Sequence, residues 1–239
     1  MVGKDLRVRY RQDLAEIIHG MSFTIPAGSK VGVVGRTGSG KSSLIQAMFR
    51  LNEISGGTLE VDGSNIMAVS LPALRSSMSL IPQEPELFSG SCRYNLDPFG
   101  AQTDATILEV LREIQLDGVV TSLDMEVEEG GSNFSGGQRQ LLSLARAMLR
   151  RSQIVIVDEA TANVDYDTDA LVQRTLKSSE YFKGSTVIMI AHRIATVQDS
   201  DLILVLDDGH LVEQGTPDEL IARGGKFADM VVQTQTNEG

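Results

Sequence analysis

The sequence predicts an α/β fold: a mainly parallel sheet flanked by helices, preceded by an antiparallel β-subdomain and interrupted by a helical subdomain. Three observations carry this prediction. Late in the chain, "QIVIVDEA", "STVIMIAH" and "DLILVLDDG" are apolar runs of strand length, separated by the helical stretches "TDALVQRTLKS" and "RIATVQDS". Unbroken apolar strands alternating with helices signal a parallel sheet covered on both faces. The opening residues instead read as short, alternating strands, the mark of antiparallel pairing. From about residue 91 to 150 the pattern is helical with no strong strand, as expected of an insertion.

Taken in order, "LRVRYR" alternates, and "MSFTIPAGSKVGVVG" gives two strands around a Pro-Ala-Gly turn. Residues 42–51 form an amphipathic helix through Leu44, Ile45, Met48 and Phe49. "GGTLEVDG" is a strand ending in a turn, and "MSLIPQ" a buried strand stopped by proline. The tail "TQTNEG" is expected to fray. One domain, 1–239, thus divides into a β-subdomain at 1–34, a core at 35–90 and 152–239, and a helical subdomain at about 91–151.

Composition narrows the class. With 41% hydrophobic and 22% charged residues, 239 residues can bury a sizeable core in water. No apolar run reaches the ~18 residues of a membrane span, and "MVGKDLRVRYR" has no signal-peptide core. A lone cysteine, Cys92, fits a reducing compartment and a small buried residue. The net charge of −11 argues against a nucleic-acid surface. The acidic Asp124, Glu126 and Glu128 read as a solvated turn.

The chemistry concentrates in a few motifs. "GRTGSGKSS", Gly35, Arg36, Thr37, Gly38, Ser39, Gly40, Lys41, Ser42 and Ser43, follows the apolar strand "KVGVV" and opens a helix. That is the context a phosphate-binding loop demands, so the core is read as a P-loop NTPase. Its glycines let backbone approach phosphate, Lys41 reaches the β- and γ-phosphates, and the Ser42 hydroxyl can ligate Mg²⁺. Asp158, at the end of "IVIVD", fits either a helix N-cap or a Mg²⁺ ligand, and the loop favours the metal. Glu159 suits a base polarising an attacking water, which binding alone does not need. His192, after the strand "TVIMIA", is either incidental or a contact to the γ-phosphate. Gln83, ending "MSLIPQ", can ligate Mg²⁺, orient water and relay nucleotide state outward. Tyr10 is an edge-strand residue or the surface on which an adenine stacks. A second phosphate-grade helix start, "NFSGGQ", lies about a hundred residues downstream and has no lysine.

In that order and spacing, "GRTGSGKSS", Gln83, "FSGGQ", "IVIVDEA", "ANVD" and His192 resemble an ATP-binding cassette domain over nearly the whole chain. "SGSCRYNLDPFG" and "EEGGSNFSGGQRQLLSLARAML" are similar to multidrug-resistance-associated (subfamily C) exporters, most of all to their second, catalytically complete nucleotide-binding domain. The resemblance implies an ATPase using Mg²⁺, with Lys41, Glu159 and His192 catalytic and Ser42, Gln83 and Asp158 at the metal. It implies head-to-tail docking with a second nucleotide-binding domain, a different cassette of the same transporter. Ser135, Gly136, Gly137 and Gln138 would then serve the partner's nucleotide. Asp165 would sit in the loop linking both sites, and the regions of Gln83 and Glu129 would meet coupling segments of a transmembrane domain. The implied location is the cytoplasmic face of a membrane.

Phe134 stands where the family has leucine, and "ANVD" replaces a serine-containing loop. The chain begins nine residues before Tyr10, where the family carries further strand. Met1 to Gly3 are therefore read as an artificial boundary, with a frayed edge strand and weakened adenine stacking expected. Two other readings compete. A DNA-maintenance cassette ATPase would carry long heptads between phosphate loop and signature, and none are present. A nucleotide-sensing regulator of a channel would share every motif.

Overall fold

The computed structural model describes residues 1–160, 164–191 and 193–237, the last three without their side chains. Two compact units emerge, one of Met1–Met78 and Gly184–Gly239, the other of Ser79–Lys183.

The first unit opens with β1 (Val2–Arg9), β2 (Glu16–Thr24), β3 (Lys30–Val34), α1 (Lys41–Met48), β4 (Glu53–Val61), β5 (Ser64–Asn65) and α2 (Leu71–Ser76). One antiparallel sheet has the order β2-β1-β4-β5. β1 is therefore an interior strand, Val2 pairing with both Thr24 and Glu60, and the expected frayed edge is corrected. Ladder hydrogen bonds on both sides, and the Met1 amine bonded to the Ile25 carbonyl at 2.8 Å, hold this end of the chain. Which strands flank β1 is a long-range pairing that no local alternation encodes.

Helix α1 stops at Met48, three residues before the expected end. Arg50 turns left-handed at φ 51°. Its amide bonds Ala47 and that of Leu51 bonds Gln46, closing the end as a Schellman turn does. Arg75 donates to the Phe49 and Arg50 carbonyls, bringing a cation to the helix C-terminus.

The second unit carries β6 (Met78–Ile81), β7 (Gly90–Ser91), α3 (Cys92–Leu96), α4 (Asp104–Glu113), β8 (Glu126–Val127), α5 (Gly136–Arg150), β9 (Ile154–Asp158) and α6 (Tyr166–Ser178). β6 and β9 are hydrogen-bonded neighbours, and the buried hydroxyls of Ser79 and Ser152 meet at 2.7 Å. Within the stretch expected to be helical, β7 and β8 form a short antiparallel ladder. It continues as the amides of Cys92 and Arg93 bond the Met125 and Leu123 carbonyls. Two-residue strands leave no periodicity to read. Cys92 is buried, which pushes its thiol up.

The chain returns to the first unit with β10 (Thr186–Ile190), β11 (Leu202–Asp207), β12 (His210–Gly215), α7 (Pro217–Arg223) and α8 (Lys226–Asn237). Here the strands run β12-β11-β3-β10, parallel except for the β11–β12 hairpin. The inner strands are buried almost throughout, whereas β12 alternates as an outermost strand should. A Cβ on Gly32 would lie 2.6 Å from Val197, so β3 needs a bare backbone there.

The expected helix "RIATVQDS" is one 3-10 turn, Ile194–Thr196. Ile194 and Val197 are both buried, a spacing of three that suits such a turn. Asp201 then exchanges bonds with the Lys30 backbone, drawing the chain into β11. The tail is not frayed through Asn237, because α8 continues there. Phe227 and Val231 are buried, and Glu213 accepts from the Lys226 and Phe227 amides at 2.6 and 3.1 Å. Among the described residues no helix is long and apolar enough to cross a membrane.

Candidate functional site

The phosphate-loop residues and Tyr10 all belong to the first unit. β3 delivers Val34 to Gly35, where a Cβ would fall 2.2 Å from the Leu206 carbonyl oxygen and 2.6 Å from Ser39 Oγ. Gly38 and Gly40 adopt φ 83° and 102°, conformations side chains resist. Glycine at these three positions is thus a requirement of the backbone path. Gly35→Ala is expected to lower stability by about 1–3 kcal/mol, read as an earlier urea midpoint with an unchanged m-value.

The loop closes through Ser39, whose amide bonds the Arg36 carbonyl at 3.1 Å and whose carbonyl accepts from Gly209 at 3.1 Å. Lys41 is only 5% exposed, and its Nζ donates to the Gly35 and Arg36 carbonyls at 2.8 and 3.1 Å. Two features mark the loop as built for an anion. Helix α1 starts at Gly40 with no side-chain cap and no acid in its first turn. The buried Ser39 hydroxyl has no hydrogen-bond partner among the described residues, and such a group costs about 1–3 kcal/mol. Uncapped amides, an orphan hydroxyl and an ammonium held on carbonyls fit the oxygens of a polyphosphate. Ser42 is exposed beside them and Ser43 buried. Tyr10 lies just past β1, 53% exposed, with its hydroxyl 3.4 Å from Ser43 Oγ. The structure therefore brings Tyr10 to the phosphate-loop helix.

The remaining described residues belong to the second unit. Gln83 is exposed just beyond β6, and the preceding Pro82 carbonyl accepts from Gln140 at 3.1 Å. β9 is buried until Asp158, which is half-buried, as is Glu159. Glu159 adopts φ 49°, a left-handed conformation that costs of order 1–3 kcal/mol. Oxygen ligands such as Ser42, Gln83 and Asp158 are the donor types a hard cation such as Mg²⁺ takes.

The serine turn is a capped helix start. Ser135 Oγ accepts from the Gln138 amide at 3.2 Å, and Gln138 Oε1 accepts from the Ser135 amide at 2.9 Å. This capping box accounts for Ser135 and Gln138 in cis. Gly137 also has a cis reason, since a Cβ would lie 2.8 Å from Thr168 Oγ1 and 3.2 Å from Asp165 Oδ2. At Gly136 a Cβ would meet nothing within 4 Å among the described residues. Asp165 caps α6, accepting from the Thr168 amide and hydroxyl at 3.0 and 2.8 Å, and these bonds hold its carboxyl below the usual range. The stability this depression confers is present above the unfolded pKa and is lost as pH falls through the folded one.

Glu129 begins an exposed 3-10 turn, and Asp124, Glu126 and Glu128 are exposed. Phe134 is buried. His192, Thr161, and the Ala162 and Asn163 of "ANVD" lie outside the described residues.

Two contributors were missed from sequence. The β11–β12 turn supplies Gly209 to the phosphate loop, and its "DDG" was a readable turn signal. Arg146, a charge on the buried face of α5, ties that helix to the segment after Gln83.

The ABC transporter family profile matches residues 18–162, more than half of the chain. The chain is 50% identical over 97% of its length to ABC transporter C family MRP4 of Zea mays. It is 48% identical over 92% of its length to ATP-binding cassette sub-family C member 2 of Rattus norvegicus. It spans only 16% and 14% of those two proteins. Among solved structures, a bacterial Atm1-family ABC exporter with ATP bound superposes with a TM-score of 0.89 at 33% identity, covering 97% of this chain and 41% of that one. A glycine-built phosphate loop, a carboxylate pair ending a buried strand and a capped Ser-Gly-Gly helix start, together with this match, make the chain a member of the ABC transporter family.

Proposed function

We propose that this chain is the catalytic nucleotide-binding domain of a C-family exporter, and that it hydrolyses MgATP to drive transport across a membrane. The observation carrying this reading is the phosphate loop. Its buried Lys41, orphan Ser39 hydroxyl and uncapped helix α1 form a set of donors waiting for phosphate oxygens. Tyr10 beside Ser43 offers its ring to the adenine.

In the proposed reaction a water oxygen attacks the γ-phosphorus in line, the bond to the bridging oxygen of ADP breaks, and the water proton passes to Glu159. Lys41 and the loop amides bear the charge that develops on the phosphate oxygens. His192 contacts the γ-phosphate. Ser42, Gln83 and Asp158 would hold Mg²⁺, which would supply further neutralisation of those oxygens. Ser135, Gly136, Gly137 and Gln138 face the nucleotide of a second cassette docked head to tail, and Asp165 links the two sites. The surfaces near Gln83 and Glu129 meet the coupling segments of the membrane domain, which puts the chain on the cytoplasmic side. The similarity to C-family proteins supports this assignment over a DNA-maintenance role.

Glu159→Gln tests the reading. It keeps shape and hydrogen bonding but cannot take the proton. MgATP affinity is expected to stay within about twofold while hydrolysis falls by about two orders of magnitude, the scale of a general base. Wild-type turnover in this variant would remove Glu159 from the mechanism, whereas a wild type that binds MgATP without turnover would leave a nucleotide-sensing domain.

A further inference from the structure

Arg146 lies on α5 in phase with Leu142 and Leu149, both buried. Its guanidinium is largely buried, which lowers its pKa, and no carboxylate pairs with it among the described residues. Three oxygens of one segment receive it instead. Nε donates to the Asn95 carbonyl at 2.5 Å, and one terminal nitrogen to the Glu86 carbonyl at 2.7 Å. The other terminal nitrogen donates to Asn95 Oδ1 at 2.8 Å.

Asn95 is itself buried and knits the segment together. Its Nδ2 donates to the Phe88 and Ser91 carbonyls at 2.7 and 3.1 Å, and its Oδ1 accepts from the Phe88 amide at 2.9 Å. Nearer the start of α5, the buried Gln140 donates to the Pro82 carbonyl, one residue before Gln83. Two side chains of α5 thus grip both ends of residues 82–95. The same helix begins at the Ser135 turn.

Burying a cation without a counter-ion is costly. The fork of an arginine, however, meets several carbonyls at fixed angles, as a lysine cannot. We propose that Arg146, acting with Asn95, is a positioning residue that locks the segment carrying Gln83 to the signature helix, so that Gln83 and the Ser135 turn move as one body. This rests on the ATPase reading above and names a device that serves it.

The test uses the 239-residue chain carrying Arg146→Lys, Arg146→Met, Asn95→Ala or Arg146→Lys with Asn95→Ala. Steady-state kinetics with MgATP and amide hydrogen exchange are the readouts. KM is expected to stay within about twofold in all four, since the phosphate loop belongs to the other unit. kcat per folded molecule should fall roughly tenfold, within the range that ångström-scale misplacement produces. Exchange at residues 86–95 should quicken at least tenfold while α5 itself stays protected. The double variant should be no worse than either single one, because the two residues act as a unit. Arg146→Met is the decisive control. It leaves the Asn95 and Glu86 carbonyls without this donor and should melt earlier than wild type. Yet at a temperature where both are folded it should keep KM and lose kcat, a split that a merely structural arginine would not give. Wild-type kcat and exchange in Arg146→Met would overturn the proposal, as would loss of protection along all of α5. If the wild type binds no MgATP, the ATPase reading fails, and the exchange data still decide whether Arg146 locks the segment.

Discussion

Lys41→Ala is expected to abolish ATP turnover and most of the thermal stabilisation that MgATP confers. In the wild type, nucleotide at a hundred times Kd adds about 2.7 kcal/mol of stability. The side chain has two tasks. Nζ holds the Gly35 and Arg36 carbonyls, and in the proposed reaction it exchanges them for phosphate oxygens. Alanine therefore leaves two loop carbonyls without their donor, at a cost of about 1–3 kcal/mol for each that stays buried. The free variant should melt earlier than wild type for that reason alone. The informative quantity is consequently the shift on adding MgATP, measured within each protein. A full wild-type shift in Lys41→Ala would mean that the nucleotide binds somewhere other than Gly35–Ser43.

What could be read from sequence follows from which interactions are local. The phosphate loop was legible because its glycines answer backbone demands at Gly35, Gly38 and Gly40. The strands β3, β9, β10 and β11 were legible because burial on both faces leaves an unbroken apolar run. The interior position of β1 was not, since its neighbours β2 and β4 are chosen by long-range pairing. Helix α7 has a readable start in Thr216 and Glu219, a capping box followed at once by a proline in the first helical turn. Arg146 had a signal too, a charge in the apolar phase of α5, but its acceptors are carbonyls, which any sequence supplies. At the serine turn, the pattern suggested a use beyond starting a helix. The structure gives local reasons for Ser135, Gln138 and Gly137, through the capping box and the contact with Thr168 and Asp165. Gly136 has no such reason among the described residues, which makes it the clean place to probe a second chain.

Gly136→Asp is expected to abolish turnover while each monomer still binds MgATP. Among the described residues its Cβ meets nothing within 4 Å, and its φ is not left-handed, so the substitution is expected to leave the fold and the capping box intact. Replacing Gly137 instead would push against Thr168 and Asp165 and confuse a local clash with a lost contact. If the turn faces a partner's γ-phosphate, the new carboxylate meets the phosphate charge across the docked pair. Wild-type specific activity should then rise with protein concentration until pairs saturate, because no linked partner raises the effective concentration. Mixing supplies the sharper result. Gly136→Asp keeps a working phosphate loop and a blocked turn, and Lys41→Ala keeps the reverse. Neither alone should hydrolyse ATP, but the mixed pair joins one intact loop to one intact turn and should regain up to half the wild-type rate. Affinity measured on dilute, monomeric Gly136→Asp completes the test. A loss as large as that of Lys41→Ala would mean that the turn binds its own chain's nucleotide, and the two-chain site would have to be abandoned.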